Sequence, residues 1–287
     1  MNASAFSRPL GELVRERRSC RSFAAAAPEP RLLAALEAFA AGVAAPFGGR
    51  PRFGVIDNEK VRAESFFSAG SYGMIKGARF YLAALVRRSE PRRWEDAGFA
   101  LEAAVLKATD LGLGSCWIGG VFDRRRFGRS LGIQADEQLP AVIAVGLPAG
   151  QRTLRDRLVR WSAGGDRRKP SSALFFAGGW DAVLSADGAG SWSEALECLR
   201  LAPSASNKQP WRLVRLGSAF HFFLSRDKAY SAMMPLADLQ RIDMGIAMCH
   251  FELAALELGL MGGWSAADPR VPATPANYEY IASFEIQ

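Results

Sequence analysis

The chain has 287 residues, of which 49% are hydrophobic and 23% charged, a composition that excludes disordered, collagen-like and coiled-coil proteins. Lys and Arg number 36 against 29 Asp and Glu, which gives a net charge of +7. However, the longest basic run is Arg124-Arg125-Arg126, and no stretch has the length of a signal-peptide core or a membrane span. We therefore expect a cytoplasmic protein that binds neither nucleic acid nor a membrane.

The cysteines and histidines restrict the chemistry. Four cysteines are scattered without a Cys-x-x-Cys spacing, and the histidines are His221 and His250 alone. This pattern supports neither a disulfide scaffold nor a His-based zinc site. A Ser-His-Asp hydrolase would have to use one of these two histidines, and the Gly-x-Ser-x-Gly turn is absent. The chemistry is expected to belong to a bound cofactor.

The first half of the chain begins with a basic cluster and continues as an α+β pattern. Arg17-Arg18-Ser19-Cys20-Arg21 precedes a helix that contains Ala35-Leu36-Glu37. A long apolar helix begins near Asp96, which we expect to cap it, and ends before a glycine. Residues with β propensity predict strands in three further segments, Arg52–Ile56, Phe80–Val86 and Ala141–Val145.

The long helix occurs twice. Asp96–Trp117 aligns with Asp243–Trp264 at a constant offset of 147, with nine identities in 22 positions, where background composition would give roughly two. Both copies share an Asp-x-Gly start and a Leu-Gly-Leu-x-x-x-Trp end. The body of each helix is apolar nearly all round, which predicts a helix buried on most faces.

The second half repeats the pattern of elements. Ala195-Leu196-Glu197 marks its opening helix, and its predicted strands are Trp211–Arg215, His221–Leu224 and Tyr278–Ile286. Each copy is therefore helix, helix, strand, strand, helix, strand, which is an α+β fold. We predict an internal duplication with copies at residues 1–175 and 176–287, fused as a single-chain pseudo-dimer.

The two copies differ in complementary ways. The first copy carries the basic groups, at Arg17–Arg21 and at Arg167-Arg168-Lys169, whereas the second copy lacks both clusters. The second copy carries a polar loop that begins at Pro203, whereas the equivalent loop after Pro46 has lost its Ser, Asn and Gln. This division predicts one shared site between the copies, whose symmetry mate has decayed.

Four motifs together resemble the FMN-dependent nitroreductase family, in particular a branch in which one chain carries two fused half-copies. They are Arg17-Arg18-Ser19-x-Arg21, Gly112-Leu113-Gly114-Ser115-x-Trp117-x-Gly119-Gly120, Arg168-Lys169-Pro170 and Pro203-Ser204-x-x-Asn207-x-Gln209-Pro210-Trp211. The resemblance extends from Arg17 to about Trp264, and the last motif, with six fixed residues, is the most specific. It implies a nitroreductase-like α+β fold.

The resemblance also implies one FMN per chain, held between the copies. The residues that match the family's cofactor site are Arg17, Arg18, Ser19, Arg21, Trp117, Ile118, Gly119, Gly120, Arg168, Lys169, Pro203, Ser204, Ala205, Ser206, Asn207 and Gln209. By family position, Arg17, Arg168 and Lys169 would neutralise the phosphate and Arg21 would lie near the flavin ring. A backbone amide after Trp117 would bond to flavin N5.

The implied activity is an NAD(P)H-dependent FMN oxidoreductase. It would pass hydride to a nitroaromatic, quinone or related small acceptor by a ping-pong mechanism, without a catalytic side chain, and would function as a monomer. Two alternatives remain at this stage. One is an FMN-binding carrier or sensor with little turnover, and the other is a basic protein that binds nucleic acid.

Overall fold

The computed structural model describes residues 5–63, 75–120, 122–150 and 167–287. The helices of the first copy are α1 (Leu10–Glu16), α2 (Pro30–Ala41), α3 (Asn58–Ala63), α4 (Arg93–Asp110) and α5 (Arg124–Ser130). Its strands are β1 (Arg52–Asp57), β2 (Phe80–Arg87), β3 (Gly114–Ile118), β4 (Glu137–Gln138) and β5 (Val142–Gly146).

The second copy has the same long elements. Its helices are α6 (Ala186–Ala189), α7 (Ser193–Leu201), α8 (Lys228–Met233) and α9 (Leu239–Glu257). Its strands are β6 (Phe175–Ala177), β7 (Trp211–Leu216), β8 (Ala219–Ser225), β9 (Gly262–Ser265) and β10 (Tyr278–Ile286). All six strands predicted from the sequence are present. The sequence does not predict four other strands: β3 and β9 are glycine-containing segments without the usual strand signature, and β4 and β6 have only two and three residues.

The two sheets have equivalent topologies. The first sheet has the order β1-β2-β5-β3, with β4 paired to β2, and the second has the order β6-β7-β8-β10-β9. Matching β1, β2, β5 and β3 with β7, β8, β10 and β9 makes the two orders identical, and all these pairs are antiparallel. The duplicated α+β fold expected from the sequence is therefore confirmed. The exact division at residue 175 stays a prediction, and β6, at this division, pairs in parallel with β7.

The long helices α4 and α9 cross in backbone contact at the centre of the molecule. A Cβ added to Gly98 would lie 2.2 Å from the carbonyl oxygen of Ile242, and one added to Gly245 would lie 2.0 Å from that of Glu95. Both pairs are related by the repeat offset, so the two contacts are equivalent about a pseudo-two-fold axis. The repeated glycine is thus what permits the close crossing.

The predicted helix caps are half right. Gly112 and Gly259 follow α4 and α9 with φ of 73° and 71°, as expected for a glycine at a helix C-terminus. The prediction that Asp96 and Asp243 are N-caps is wrong, because α4 begins after Arg92 and α9 after Asp238. Asp96 lies in the first turn of α4 and Asp243 just beyond the first turn of α9, and both accept hydrogen bonds from neighbouring loops instead.

The described segments contain no helix that is both long enough and apolar enough to cross a membrane.

Candidate cofactor site

A cavity of about 370 Å³ lies between the two copies. The first copy contributes Ser19, Arg21, Ile75, Cys116, Trp117, Ile118, Gly119, Gly120 and Ala141. The second copy contributes Pro203, Ser204, Ala205, Ser206, Tyr230, Met234, Leu239, Ile242, Asp243 and Ile246. A cavity of this size with an apolar lining and a few polar groups is typical of a small-molecule site. Its position agrees with the shared site predicted from the complementary motifs.

The N-terminal basic cluster reaches the cavity along β3. Ser19 pairs with Ser115 as a parallel bridge, and the backbone N–H of Cys20 donates to the Ser115 carbonyl at 2.7 Å. Arg21 lines the cavity, and Arg17 and Arg21 both lie near the Cys116 thiol. Burial raises the pKa of Cys116 and these cations partly offset the rise, so the thiol is a neutral part of the wall. Arg18 is exposed and does not line the cavity.

The Gly119-Gly120 turn forms a bare stretch of backbone on the first copy's wall. Arg124 holds it by donating to the Gly119 carbonyl. A Cβ on Gly119 would lie 2.8 Å from Leu239, and one on Gly120 would lie 3.1 Å from Met234. Glycine at both positions therefore allows the turn to lie close against Leu239 and Met234 of the second copy.

The polar loop of the second copy is held in an uncommon backbone conformation. Ser206, Asn207 and Gln209 have φ of 50°, 54° and 48°, which is a left-handed region that costs energy for residues other than glycine. Hydrogen bonds hold it there, because the N–H of Gln209 donates to Ser204 Oγ at 2.8 Å and that of Asn207 to the Ser204 carbonyl at 3.0 Å. Pro203 to Ser206 line the cavity as a result.

Asn207 and Gln209 face the second basic cluster rather than the cavity. Arg168 donates to Asn207 Oδ1 at 3.0 Å, and Asn207 Nδ2 donates to the Arg167 carbonyl at 2.8 Å. The side chain of Gln209 is buried and accepts from the backbone N–H of Lys169 at 2.7 Å. The structure thus brings these motif residues together in one network outside the cavity lining, a role that their sequence pattern did not reveal.

Lys169 lies in surroundings that disfavour its charge. Partial burial and the neighbouring cations Arg212 and Lys208 lower its pKa to about 8 from the ordinary 10.5. Its Nζ donates only to backbone carbonyls among the described partners, at 2.9 Å to Lys208 and 3.2 Å to Gln209. A bound anion would stabilise the charged form of Lys169 and offset its repulsion from Arg212 and Lys208.

The lowered pKa predicts a pH effect on stability. Between pH about 8 and 10.5 the unfolded chain keeps a proton on Lys169 that the folded chain has lost, so the free energy of unfolding should rise with pH over this window. Urea unfolding should show wild type gaining stability relative to Lys169→Met across this range. The control is the difference in unfolding free energy between wild type and Lys228→Met, a variant at an exposed lysine, over the same pH range. A gain that is equal for both variants would contradict the prediction.

Asp243 is a buried carboxyl in the second copy's wall. Its Oδ1 accepts from the backbone N–H of Ala205 at 2.9 Å, whereas Oδ2 has no hydrogen-bond partner among the described residues. Burial is the main cause that raises the pKa of Asp243 well above the ordinary 3.8. The equivalent Asp96 differs, because both of its oxygens accept from loop amides, of Phe47 at 3.0 Å and of Gly49 at 2.8 Å.

A buried chain of hydrogen bonds joins the cavity wall to both central helices. Trp117 lines the cavity, and its indole N–H donates to Glu102 Oε2 at 2.6 Å. Glu102 Oε1 lies 2.8 Å from His250 Nε2, and His250 Nδ1 lies 2.9 Å from the Cys198 carbonyl. That carbonyl can only accept, so Nδ1 carries a proton and one further proton is shared between His250 and Glu102.

Sequence reasoning missed most of the second copy's apolar wall. Tyr230 and Met234 lie on or just after α8, and Leu239, Ile242 and Ile246 lie on α9 at helical spacing. These residues look like ordinary core positions in the sequence, so nothing distinguished them from buried packing. The repeated Asp at position 243 was a visible signal, but it was interpreted as a helix cap.

The fold and the interfacial cavity define a nitroreductase-like protein that carries two fused copies in one chain. The family model described as "Putative TM nitroreductase" matches residues 10–255. The chain therefore belongs to this nitroreductase family. None of the curated proteins compared with it gives a match.

One solved structure shows the same fold over nearly the whole chain. A protein of Thermotoga maritima described as a "putative nitroreductase" is 18% identical, with a TM-score of 0.61, and the match covers 97% of this chain and 94% of that one. An FMN-dependent nitroreductase of Clostridium difficile is 21% identical over 49% of this chain and 88% of its own, with a TM-score of 0.41. Iodotyrosine deiodinase, bound to FMN and 3-iodo-L-tyrosine, is 19% identical over 50% of this chain and 92% of its own, with a TM-score of 0.41.

Proposed function

We propose that this protein is an FMN-dependent oxidoreductase that takes hydride from NAD(P)H and passes it to a nitroaromatic, a quinone or a related small acceptor. The observation that carries the proposal is the cavity between the copies, to which both the Arg17–Arg21 cluster and the Pro203–Ser206 loop contribute. FMN, when bound, would supply the redox chemistry, and the chain would supply binding and electrostatics.

The residues present fit such a cofactor. Gly119 and Gly120 present bare backbone at the cavity wall, and backbone without side chains allows the close approach of a planar ring. Arg21 at the cavity edge would favour the negative charge of a reduced ring. Arg168 and Lys169, with the lowered pKa of Lys169, form a cationic region that a phosphate would stabilise.

The remaining predicted residues would shape and close this site. We assign Arg17 to the phosphate, Ser19 to the phosphate or the ribityl hydroxyls, and the loop from Pro203 to Ser206 to contact with the cofactor. Asn207 and Gln209 would act by keeping that loop in place through Arg168 and Lys169. A single chain supplies both walls, so we expect one FMN per chain and function as a monomer.

Purified protein tests the proposal directly. It should take up one equivalent of FMN per chain with a yellow flavin spectrum, and should then oxidise NADH or NADPH in the presence of a nitroaromatic or a quinone. Colourless protein that takes up no FMN, or uptake of two equivalents, would contradict the proposal. Stoichiometric binding without turnover would instead indicate a flavin carrier or sensor.

Removing the Arg21 charge should weaken FMN binding. A charge-assisted contact contributes about 1.5–3 kcal/mol, so Arg21→Ala should raise the Kd roughly 10- to 150-fold, as measured by quenching of flavin fluorescence. Arg31→Ala is the matched control, because Arg31 is exposed on α2, pairs with Glu29 and does not line the cavity. Equal affinities of the two variants would exclude Arg21 from the site.

A further inference from the structure

Asp243 occupies a position that packing alone does not explain. It is 2% exposed and lines the cavity between the copies, beside the apolar side chains of Ile242 and Ile246. One carboxyl oxygen accepts from Ala205, and the other has no partner among the described residues. A buried polar oxygen without a hydrogen bond is costly, so such an atom at a cavity wall indicates a group that a ligand completes.

The duplication supplies an internal comparison. Asp96 stands at the same position of the first copy's helix, and its two oxygens are both satisfied by the amides of Phe47 and Gly49. Asp96 lies outside the cavity lining. Both carboxyl oxygens of Asp96, which has a structural role, are therefore hydrogen-bonded. Asp243, at the cavity, has one oxygen without a partner among the described residues.

The surroundings of Asp243 disfavour its ionised form. Burial is the first cause of its raised pKa, and the carboxyl groups of Asp238, at the start of the same helix, and Glu102, on the facing helix, add to the rise. A single backbone N–H favours the charge. The other ionisable groups in the described cavity lining are Tyr230 on α8, and Arg21 and the Cys116 thiol across the cavity. A neutral carboxylic acid accepts with one oxygen and donates from the other.

We propose that Asp243 is a ligand-binding residue of this cavity, which stays protonated, accepts from Ala205 with Oδ1 and donates from its second oxygen to an acceptor atom of the flavin ring. This inference rests on the proposed function. It adds a neutral acid, contributed by the second copy, to a site that the sequence motifs describe only in terms of cations and loops. No proton is transferred, because the acid serves as a hydrogen-bond donor.

The sign of the pH effect follows from the donor role. FMN would bind the protonated form more tightly, so the contribution of Asp243 to FMN affinity should be constant at low pH and fall as pH rises through the pKa of Asp243 in the folded protein. Asparagine imitates the protonated acid, since its oxygen can accept from Ala205 and its amide can donate to the ligand. Alanine offers neither group.

The test is FMN affinity, measured by fluorescence quenching of the full chain between pH about 5.5 and 9.5. Lys169, with a pKa of about 8, titrates in this window in every variant, so the effect of Asp243 is the difference between two profiles. Wild type should lose more affinity toward high pH than Asp243→Asn. Asp243→Ala should bind about tenfold more weakly at low pH, which corresponds to the loss of one neutral hydrogen bond. Asp96→Asn is the matched control and should keep the wild-type profile.

The outcomes separate this inference from the proposed function. Wild type that binds no FMN overturns both. A wild-type affinity that rises with pH relative to that of Asp243→Asn would make Asp243 an ionised acceptor and overturn the inference alone. An Asp243→Asn profile identical to that of wild type would do the same, because the titrating group would then lie elsewhere. If Asp243→Asn fails to fold, the wild-type profile is compared with that of Asp243→Ala, and the affinity advantage of wild type should shrink toward high pH.

Discussion

Replacing Gly245 by alanine should lower the free energy of unfolding by about 3 kcal/mol, at the upper end of the cost of overpacking a core. The added Cβ would lie 2.0 Å from the Glu95 carbonyl oxygen and 2.9 Å from the backbone nitrogen of Phe99. Both obstacles are helix backbone, which cannot move aside as a flexible side chain could. The helices α4 and α9 would have to separate, and the contact between the two copies would open with them. Urea unfolding measures the effect.

The same test can be made at Gly98, which is the equivalent of Gly245 in the first copy. Gly98→Ala places a Cβ 2.2 Å from the Ile242 carbonyl oxygen and should be similarly destabilising. Gly179→Ala is the control, because a Cβ there has no neighbour within 4 Å and the φ of Gly179 is not positive, so it should change stability by less than about 0.5 kcal/mol. A tolerated Gly245→Ala would mean that the helices do not cross as closely as described.

Replacing His250 by leucine should cost about 3–5 kcal/mol of folding stability, which is typical of removing one partner of a buried, hydrogen-bonded pair of ionisable groups. Glu102 and His250 are both 0% exposed and come from different copies of the repeat. Without the imidazole, Glu102 keeps Trp117 as its described hydrogen-bond donor, and its second oxygen would be buried without a partner. Chemical unfolding of His250→Leu against wild type measures the loss.

Because the pair shares one proton, replacing Glu102 by glutamine should reduce the free energy of unfolding only slightly. In Glu102→Gln the amide oxygen can accept from Trp117, and the amide nitrogen can donate to Nε2 of a neutral His250 whose Nδ1 still donates to the Cys198 carbonyl. Every hydrogen bond is therefore kept, and the cost should stay within about 1 kcal/mol. If Glu102→Gln were as destabilising as His250→Leu, the interpretation of one proton shared by the pair would be wrong.

The strands and the duplication were largely predictable from sequence, because they depend on local patterns. Tyr278–Ile286 forms β10 with the predicted bounds, and the aligned Asp-x-Gly starts correspond to equivalent turns of α4 and α9. The repeated glycine was visible, but its reason was not. Only the structure shows that Gly98 and Gly245 lie against the facing helix, a contact between segments 147 residues apart in the repeat.

The candidate site was predictable in outline and not in detail. Three of the four motifs, represented by Ser19, Trp117 and Pro203, do line the cavity. Arg168 and Asn207 bond to each other outside the lining, although the motifs alone suggested that each would face the ligand. A motif specifies residue types and spacing, and the direction of each side chain depends on which partner the packed chain brings near.

The candidate site accounts for only a small part of the net charge of +7. Arg17, Arg21, Arg168 and Lys169 are few among 36 basic residues. Many of the others form ion pairs at or near the surface, such as Arg8 with Glu16 and Arg79 with Asp57. Exposed pairs of this kind contribute little to stability.

By itself, the sequence determined that two unequal copies of one α+β unit are fused and that their complementary motifs meet at one interface. These conclusions rest on periodicity and repetition, which are properties of the chain read in order. Only the tertiary structure decided that Asp243 and Tyr230 line the cavity, and that Glu102 pairs with His250. Such choices depend on which distant surfaces pack together, and burial then sets the charge and the free hydrogen-bonding capacity of each group.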